Sequence, residues 1–232
     1  MIDIHSHVIP NVDDGSSSMN ASIIILKNAI NEGITDLICT PHYRHRMFET
    51  NVDELKSQFD KLVSEVNKLN LPINLYLGQE IYIRRPKALN DYIKDGHILT
   101  INNTNWLLLE FSYTNDIDIS EVVYNAKLNG YNSIIAHIER YEYVDLEQAF
   151  EIKNTGAMIQ VNATSIIGKN GLKTKRRVIK LIKNGVVDFV SSDIHETREN
   201  GMAKAYNIIV KKFDVDLANK LFRENGKILL NR

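Results

Sequence analysis

Short runs of Ile, Val and Leu alternate with longer stretches of helical period along the whole chain, and this alternation constrains the fold more than any other feature. It is typical of repeated βα units around a parallel sheet. The pattern predicts seven strands, at residues 2–5, 36–40, 73–78, 106–111, 133–137, 157–161 and 186–191. Predicted helices lie between or after them, near residues 18–33, 51–69, 120–130, from 145 onward, 173–185, 201–212 and 216–224.

The chain shows no linker, no low-complexity tract and no internal repeat, so we expect a single domain over residues 1–232. At about 100–200 residues per domain, this length suffices for one large core. Secondary structure alone leaves two architectures open. Seven parallel strands followed by helices form either an open, doubly wound sheet or a closed barrel.

Charge and hydropathy exclude several classes of protein. The 28 Lys and Arg residues nearly balance the 29 Asp and Glu residues, which disfavours a protein that wraps nucleic acid or coats an anionic membrane. The apolar runs are far shorter than the roughly 20 residues that span a bilayer. The N-terminal residues carry an acid and lack the features of a signal peptide. We therefore expect a cytoplasmic protein without nucleic-acid partners or membrane insertion.

Side chains of types that can bind metal ions stand at or just beyond the ends of six of the seven predicted strands. In chain order they are His5 and His7, His42, Glu80, Glu110, His137, and Asp193 with His195, and Asp14 adds a carboxylate from the loop after the first strand. In a parallel barrel the carboxyl ends of all strands open onto one face, so these side chains would converge. This pattern favours the barrel over the open sheet.

The number and type of these side chains predict a cluster of ions. A single His or Glu after a strand is usually a cap or a solvated group, but coincidence is a poor explanation for six strand ends. A catalytic zinc ion usually takes three protein ligands and a water molecule, and nine ligands therefore indicate two or three ions. Mixed imidazole and carboxylate ligation suits Mn²⁺, Fe²⁺ or Zn²⁺.

The motifs that carry these side chains also form a recognisable set. They are DIHSH at 3–7, DDG at 13–15, TPH at 40–42, GQE at 78–80, AH at 136–137 followed by ERY at 139–141, and SDIH at 192–195. Over essentially the whole chain, this set resembles the polymerase and histidinol phosphatase (PHP) family. It is most similar to the branch of manganese-dependent tyrosine-protein phosphatases from bacterial capsule and exopolysaccharide operons, the CpsB/CapC type.

The resemblance implies a distorted (β/α)7 barrel, similar to a TIM barrel, with a trinuclear centre that usually holds manganese. By matching position, His5, His7, Glu80 and Asp193 would hold one ion. Glu80, Glu110 and His137 would hold a second ion. Asp14, His42 and His195 would hold the third.

The resemblance also implies the reaction, which is hydrolysis of phosphotyrosine with water activated by the metal ions. Arg140 and Arg198 are expected to bind the non-bridging phosphate oxygens, because a guanidinium group matches phosphate geometry. The implied substrate is the phosphotyrosine tail of a membrane-associated tyrosine kinase that governs polysaccharide synthesis. Two alternatives stay open: another phosphatase or phosphodiesterase of the superfamily, such as histidinol-phosphate phosphatase, and a non-catalytic, metal-bound regulator that binds the kinase.

Basic residues follow the second and third predicted strands. Arg44 and Arg46 follow the second strand, and Arg84 and Arg85 follow the third. Two interpretations remain: ordinary solvated loop charge, or attraction of an anionic phosphopeptide to the mouth of the site.

The single cysteine does not fit a cysteine-dependent phosphatase. The signature loop of those enzymes has an arginine six positions after the cysteine, whereas His45 stands six positions after Cys39. Cys39 also lies in an apolar strand, where a small buried core residue is expected.

We predict that Cys39→Ser retains phosphatase activity, because the thiol has no part in the reaction. The measurement is phosphotyrosine turnover by the folded variant, with its fold checked by circular dichroism. A large loss of turnover in a folded variant would contradict the assignment.

Overall fold

In the computed structural model, which describes residues 1–231, parallel strands form the wall of a barrel. The strands are β1 (Ile2–Ser6), β2 (Asp36–Cys39), β3 (His42–Tyr43), β4 (Asn74–Leu77), β5 (Glu80–Ile83), β6 (Trp106–Phe111), β7 (Asn132–Ile135), β8 (Met158–Asn162) and β9 (Phe189–Ser191). One sheet has the order β1-β2-β4 and the other the order β3-β5-β6-β7-β8-β9, with parallel pairing throughout.

The first and last strands complete the ring. The His7 backbone N–H donates to the Ile194 carbonyl at 2.9 Å, and the Asp193 N–H donates to the His5 carbonyl at 3.0 Å. Ser6 and Ile194 thereby form a parallel bridge. The expected distorted (β/α)7 barrel is confirmed, and the open sheet is excluded.

The distortion follows the second and third predicted strands, each of which is continued, after a break, by a further strand that the sequence analysis did not predict. The second strand ends as β2, passes through Thr40 and Pro41, and resumes as β3. The third strand ends as β4, is interrupted at Gly78 and Gln79, and resumes as β5. Pro41 has no N–H group for the ladder, which explains the first break. After the breaks, the two segments pair as β3 and β5, with His42 opposite Glu80. These two polar residues therefore begin neighbouring strands side by side.

Helices surround the barrel. They are α1 (Met19–Asn31), α2 (Val52–Lys68), α3 (Ala88–Lys94), α4 (Ile119–Leu128), α5 (Leu146–Asn154), α6 (Ala163–Ile167), α7 (Leu172–Lys183), α8 (Met202–Lys212) and α9 (Val215–Asn219). Side chains of Ser18, Asn51 and Asp145 cap α1, α2 and α5, as the sequence predicts. Within residues 1–231, no helix is long and apolar enough to cross a membrane.

Four helical regions differ from the prediction. Helix α4 begins at Ile119 because Asp118 caps it, ahead of the expected start at Ser120. The short helices α3 and α6 are not predicted, because so few residues show no clear period. The predicted helix 216–224 is divided between α9 and a wider turn of π-helix at Lys220–Glu224.

Apolar side chains form two layers separated by the barrel wall. Along β6, Leu107, Leu109 and Phe111 belong to the large cluster between strands and helices, whereas Trp106 and Leu108 belong to a smaller cluster inside the barrel. Successive side chains of a strand point to opposite faces, so Glu110 points inward like Leu108. The interior is therefore apolar at the amino ends of the strands and polar at their carboxyl ends.

We predict that Leu108→Ala destabilises the protein by about 2–5 kcal/mol, because Leu108 is fully buried inside the barrel and its truncation leaves a cavity. Urea unfolding measures the change. The matched control is Leu128→Ala at a position that is 67% exposed, where we expect a change within about 0.5 kcal/mol. Equal effects of the two substitutions would contradict the assignment of Leu108 to the interior.

Candidate metal centre

The nine side chains singled out in the sequence lie together at the carboxyl ends of the strands. His5 Nε2 lies 3.2 Å from His7 Nε2, and His137 Nε2 lies 2.8 Å from Glu80 Oε1. Asp14 Oδ1 lies 3.5 Å from Nε2 of both His42 and His195. Apart from exposed Asp14 and partly exposed His42, the nine residues are buried. Residues that are up to 190 positions apart in the chain thus share one pocket.

Within this pocket, the possible ligand atoms form groups in which all atoms lie within 4.8 Å of one another. The groups are His7, Asp14, His42 and His195; His5, His7 and Asp193; His5, Glu80 and His137; and His42, Glu80 and Glu110. Several residues belong to two groups. Such sharing is the geometry of adjacent ions linked by common ligands, and the groups can hold a cluster of divalent cations.

The grouping differs in detail from the division that the resemblance implies. Asp14, His42 and His195 do lie together, but His7 joins them. Glu80, Glu110 and His137 do not form one group. Glu80 forms one group with His137 and His5, and a separate group with Glu110 and His42. Glu80 is the carboxylate that connects these sets.

Several of the possible ligand atoms crowd together without pairing. Glu80 Oε2 lies 3.0 Å from His42 Nδ1, 3.2 Å from His5 Nε2 and 3.3 Å from His7 Nε2. Even so, this oxygen accepts no hydrogen bond of good geometry within residues 1–231, and Glu110 Oε2 and His195 Nε2 are equally unpaired there. Buried polar atoms rarely lack partners. The lone pairs of these atoms converge on common points, an arrangement that suits binding to a metal ion better than hydrogen bonding among the atoms themselves.

The same crowding perturbs the acid–base behaviour of the carboxyl groups. Burial opposes ionisation of Glu80, but the charges of His5 and His42 hold its pKa well below the usual value. Burial and the neighbouring charge of Glu80 raise the pKa of Glu110. A cation bound between these groups would favour the ionised form of both carboxyl groups.

Both predicted arginines contact the same carboxylate. Asp193 Oδ2 lies 3.2 Å from Nη1 of Arg140 and 3.1 Å from Nη1 of Arg198, and it also accepts from Asn162 Nδ2 at 2.8 Å. The other oxygen, Oδ1, lies 3.5 Å from His7 Nε2. Asp193 therefore faces the imidazoles with one oxygen and the two arginines with the other.

The sequence analysis missed two residues that contact the clustered histidines from outside the ligand set. Asp13 Oδ2 accepts from His7 Nδ1 at 2.7 Å and from the His42 backbone N–H at 2.9 Å. Against the effect of burial, the His7 charge holds the pKa of Asp13 at about 2. Gln160 Oε1 lies 3.3 Å from His5 Nδ1 and accepts from the His137 N–H at 2.7 Å. The adjacent acids of the DDG motif gave a signal for Asp13, whereas Gln160 in an ordinary strand gave none.

The loop that carries Asp13 requires glycine at position 15. A Cβ atom on Gly15 would lie 2.3 Å from the His7 carbonyl oxygen and 2.4 Å from the His7 Cβ. No side chain fits there without displacing the strand end. This close approach brings the DDG loop against His7.

Two of the clustered residues have unusual backbone conformations. His137 has φ of 29° and Asp193 has φ of 51°, in the region that L-residues rarely adopt. Each lies two residues after the end of a strand and turns its side chain into the pocket. Residues in such conformations persist only where surrounding contacts hold them, and they occur preferentially at functional sites.

The basic loop residues lie beside the pocket and make different contacts. The Arg44 guanidinium lies over the Tyr82 ring at 4.1 Å from its centroid. Arg85 donates to Asp91 at 2.7 Å, at an exposed position. Arg46, Arg84 and Arg85 line a neighbouring cavity of about 520 Å³. Both interpretations of this basic charge stay predictions.

Cys39 lies fully buried in β2, as expected. Burial raises the pKa of its thiol well above the ordinary range. It is therefore uncharged at neutral pH and remote from solvent, which fits a core residue.

Fold and donor cluster together define a PHP-type α/β barrel with a candidate multi-metal centre. A histidinol phosphate phosphatase from Lactococcus lactis, solved with zinc, L-histidinol and phosphate, shares the fold with a TM-score of 0.58 at 13% identity. The superposition covers 90% of this chain and 93% of that one.

The chain belongs to the family described as "Capsular polysaccharide synthesis, CpsB/CapC", whose family model matches residues 1–231. CapC of Staphylococcus aureus is 37% identical over 239 residues, covering 99% of this chain and 91% of CapC. The tyrosine-protein phosphatase CpsB of Streptococcus agalactiae is 32% identical over 240 residues, covering 99% and 98%. The resemblance inferred from the motifs is thereby confirmed.

A solved structure agrees over the whole barrel. It comes from the crystal structures of YwqE from Bacillus subtilis and CpsB from Streptococcus pneumoniae, described as metal-dependent tyrosine phosphatases. Its TM-score is 0.92 at 26% identity, and the match covers 100% of this chain and 95% of that chain.

Proposed function

We propose that this protein is a metal-dependent protein-tyrosine phosphatase, a phosphoric monoester hydrolase without a cysteine nucleophile. The observation that carries the proposal is the convergence of nine imidazole and carboxylate side chains beside two arginines. A protein that only binds a kinase has no need of so many buried, unpaired donor atoms. The activities named for CpsB and YwqE point to the same reaction.

The proposed cofactor is two or three divalent ions, with Mn²⁺ as the expected metal and Fe²⁺ or Zn²⁺ as substitutes. The ligands would be His5, His7, Asp14, His42, Glu80, Glu110, His137, Asp193 and His195, and their unpaired atoms fit this role. When bound, such ions activate water at neutral pH and neutralise phosphate oxygens. The absence of thiolate from the donor set suits these harder metals.

Two arginines of the chain would hold the phosphate. Each guanidinium group has five N–H donors, and Asp193 Oδ2 engages only Nη1 of Arg140. The remaining donors of Arg140 can bind phosphate oxygens in the bidentate geometry that suits them. The Tyr113 ring supports Arg140 at 4.6 Å, while its hydroxyl donates to Glu110 Oε1 at 3.1 Å. This contact positions Arg140 next to the cluster, and Arg198 approaches the same carboxylate.

We infer that the substrate is a phosphotyrosine tail on a membrane-associated tyrosine kinase, and that dephosphorylation regulates capsule or exopolysaccharide synthesis. Membership of a capsular polysaccharide synthesis family supports this inference. A cytoplasmic location fits the proposal, since the buried free thiol of Cys39 suits a reducing compartment.

The decisive experiment combines metal analysis with turnover. Purified protein is analysed for bound metals, stripped with chelator and reloaded with Mn²⁺, Fe²⁺ or Zn²⁺. We expect turnover of a phosphotyrosine peptide to vanish on stripping and to return on reloading, with poor turnover of histidinol phosphate and single-stranded DNA. Activity that survives complete metal removal would refute a metal-dependent reaction, and preference for histidinol phosphate would favour the small-molecule alternative.

We predict that Asp13→Asn weakens metal binding by about 10- to 100-fold, the usual effect of losing a group that orients a ligand. Asp13 accepts three N–H groups with its two oxygens, and Asn would replace one of these acceptors with an NH2 group, which can only donate. Titration of the stripped variant with Mn²⁺ measures the affinity. Asp60→Asn on the exposed face of α2 is the control. Unchanged affinity in Asp13→Asn would show that His7 is not a ligand oriented by this carboxylate.

A further inference from the structure

A cleft of about 590 Å³ lies between α1 and the segment at residues 194–200. This volume falls in the range of about 300–1,000 Å³ that is common for ligand sites. His195 and Arg198 line the cleft, so part of it borders the candidate metal centre. The other residues that line the cleft have no role in the proposed phosphatase reaction.

Hydrogen bonds between the two walls hold the cleft at both ends of α1. Near the start of the helix, Glu196 Oε2 accepts from the Ser17 N–H at 2.9 Å. At the end of the helix, Glu32 Oε2 accepts from the Ala203 N–H at 2.7 Å. The walls are therefore fixed relative to each other, and the cleft is formed before any ligand binds.

One face of α1 supplies amide groups along the cleft. Asn20, Ile24, Asn28 and Asn31 line it, and their spacing of four, four and three residues places them on one side of the helix. Asn side chains offer both donors and acceptors, as does a peptide main chain. Ile24 lies among them with 53% of its surface exposed, which offers an apolar contact.

A buried donor on the opposite wall lacks an acceptor. Asn200 is only 6% exposed and lines the cleft. Its Oδ1 accepts from the Met202 N–H at 3.1 Å, whereas its Nδ2 has no hydrogen-bond partner in the part of the chain that the structure describes. Buried polar groups are normally satisfied, so this shielded amide is a donor that an acceptor of a bound ligand can reach after a small local movement of the wall.

The charged groups around the cleft are already engaged by other groups of the protein. Glu199 lies 2.8 Å from Lys169 Nζ and 2.7 Å from Lys204 Nζ. Arg198 pairs with Asp193 at the end next to the metal centre. Glu196 and Glu32 accept backbone N–H groups. The cleft thus matches an uncharged chain with main-chain amides better than it matches a polyanion.

We propose that this cleft binds the main chain of the substrate protein next to its phosphotyrosine, while the phosphate enters past His195 and Arg198. The proposal rests on the proposed phosphatase function and refines its substrate class to a phosphotyrosine within an extended, uncharged peptide segment. It predicts selectivity for such a peptide over a small aryl phosphate, which cannot reach the amides of α1.

The test compares two substrates of the Mn²⁺-loaded protein. One is a phosphotyrosine peptide with uncharged residues on both sides, and the other is para-nitrophenyl phosphate. The readout is the ratio of kcat/KM for the peptide to kcat/KM for the aryl phosphate. We expect Asn28→Ala, Ile24→Ala and Asn200→Asp each to lower this ratio by about 3- to 10-fold, the usual effect of one lost contact. Asn200→Asp keeps an oxygen that accepts from Met202 and replaces the unpaired donor with a charged acceptor.

Matched controls are Asn67→Ala on α2 and Leu128→Ala on α4, exposed positions that are not among the residues lining the cleft, where we expect the wild-type ratio. If the cleft variants keep the wild-type ratio while the wild-type protein hydrolyses both substrates, the cleft is not a peptide site and the phosphatase function stands. If the metal-loaded wild-type protein hydrolyses neither substrate, the proposed function fails and this inference fails with it.

Discussion

The constraint on which the site depends is the burial of an ionised carboxylate among imidazoles. Glu80 Oε2 lies within 3.3 Å of three imidazole nitrogens, yet makes no well-formed hydrogen bond in the described chain. Converging lone pairs of this kind are unfavourable when nothing lies between them, because each atom has lost its water without gaining a partner. Divalent cations remove that cost, and so the proposed cofactor explains why such a pocket is tolerable inside a barrel.

Asp193 joins the two chemical parts of the pocket. Oδ1 faces the imidazole groups, and Oδ2 faces Arg140, Arg198 and Asn162. In the proposed reaction, Asp193 therefore fixes the position of the phosphate-binding arginines relative to the metal ligands. A change at either arginine would be transmitted to the ligand set through this shared carboxylate.

The site owes its geometry to irregularities of the barrel. The breaks at Pro41 and at Gly78 with Gln79 let His42 and Glu80 start new strands in register. Positive φ values turn His137 and Asp193 inward two residues after the ends of their strands. Regular strands would alternate their side chains between core and pocket, and fewer of them would reach one point. Behind the ligands, Asp13 and Gln160 fix two imidazoles by accepting their N–H groups.

The amino-acid sequence by itself determined the βα alternation, the helix caps at Ser18, Asn51 and Asp145, and the identity of the clustered side chains, because periodicity, capping and donor chemistry are local properties. It also carried the family motifs. Only the tertiary structure decided which atoms share a group, that Asp193 binds both arginines, that Gln160 supports His5, and that α1 borders a cleft with an unpaired amide of Asn200. These features depend on distances between residues far apart in the chain, and such distances arise only when the strands close into a ring.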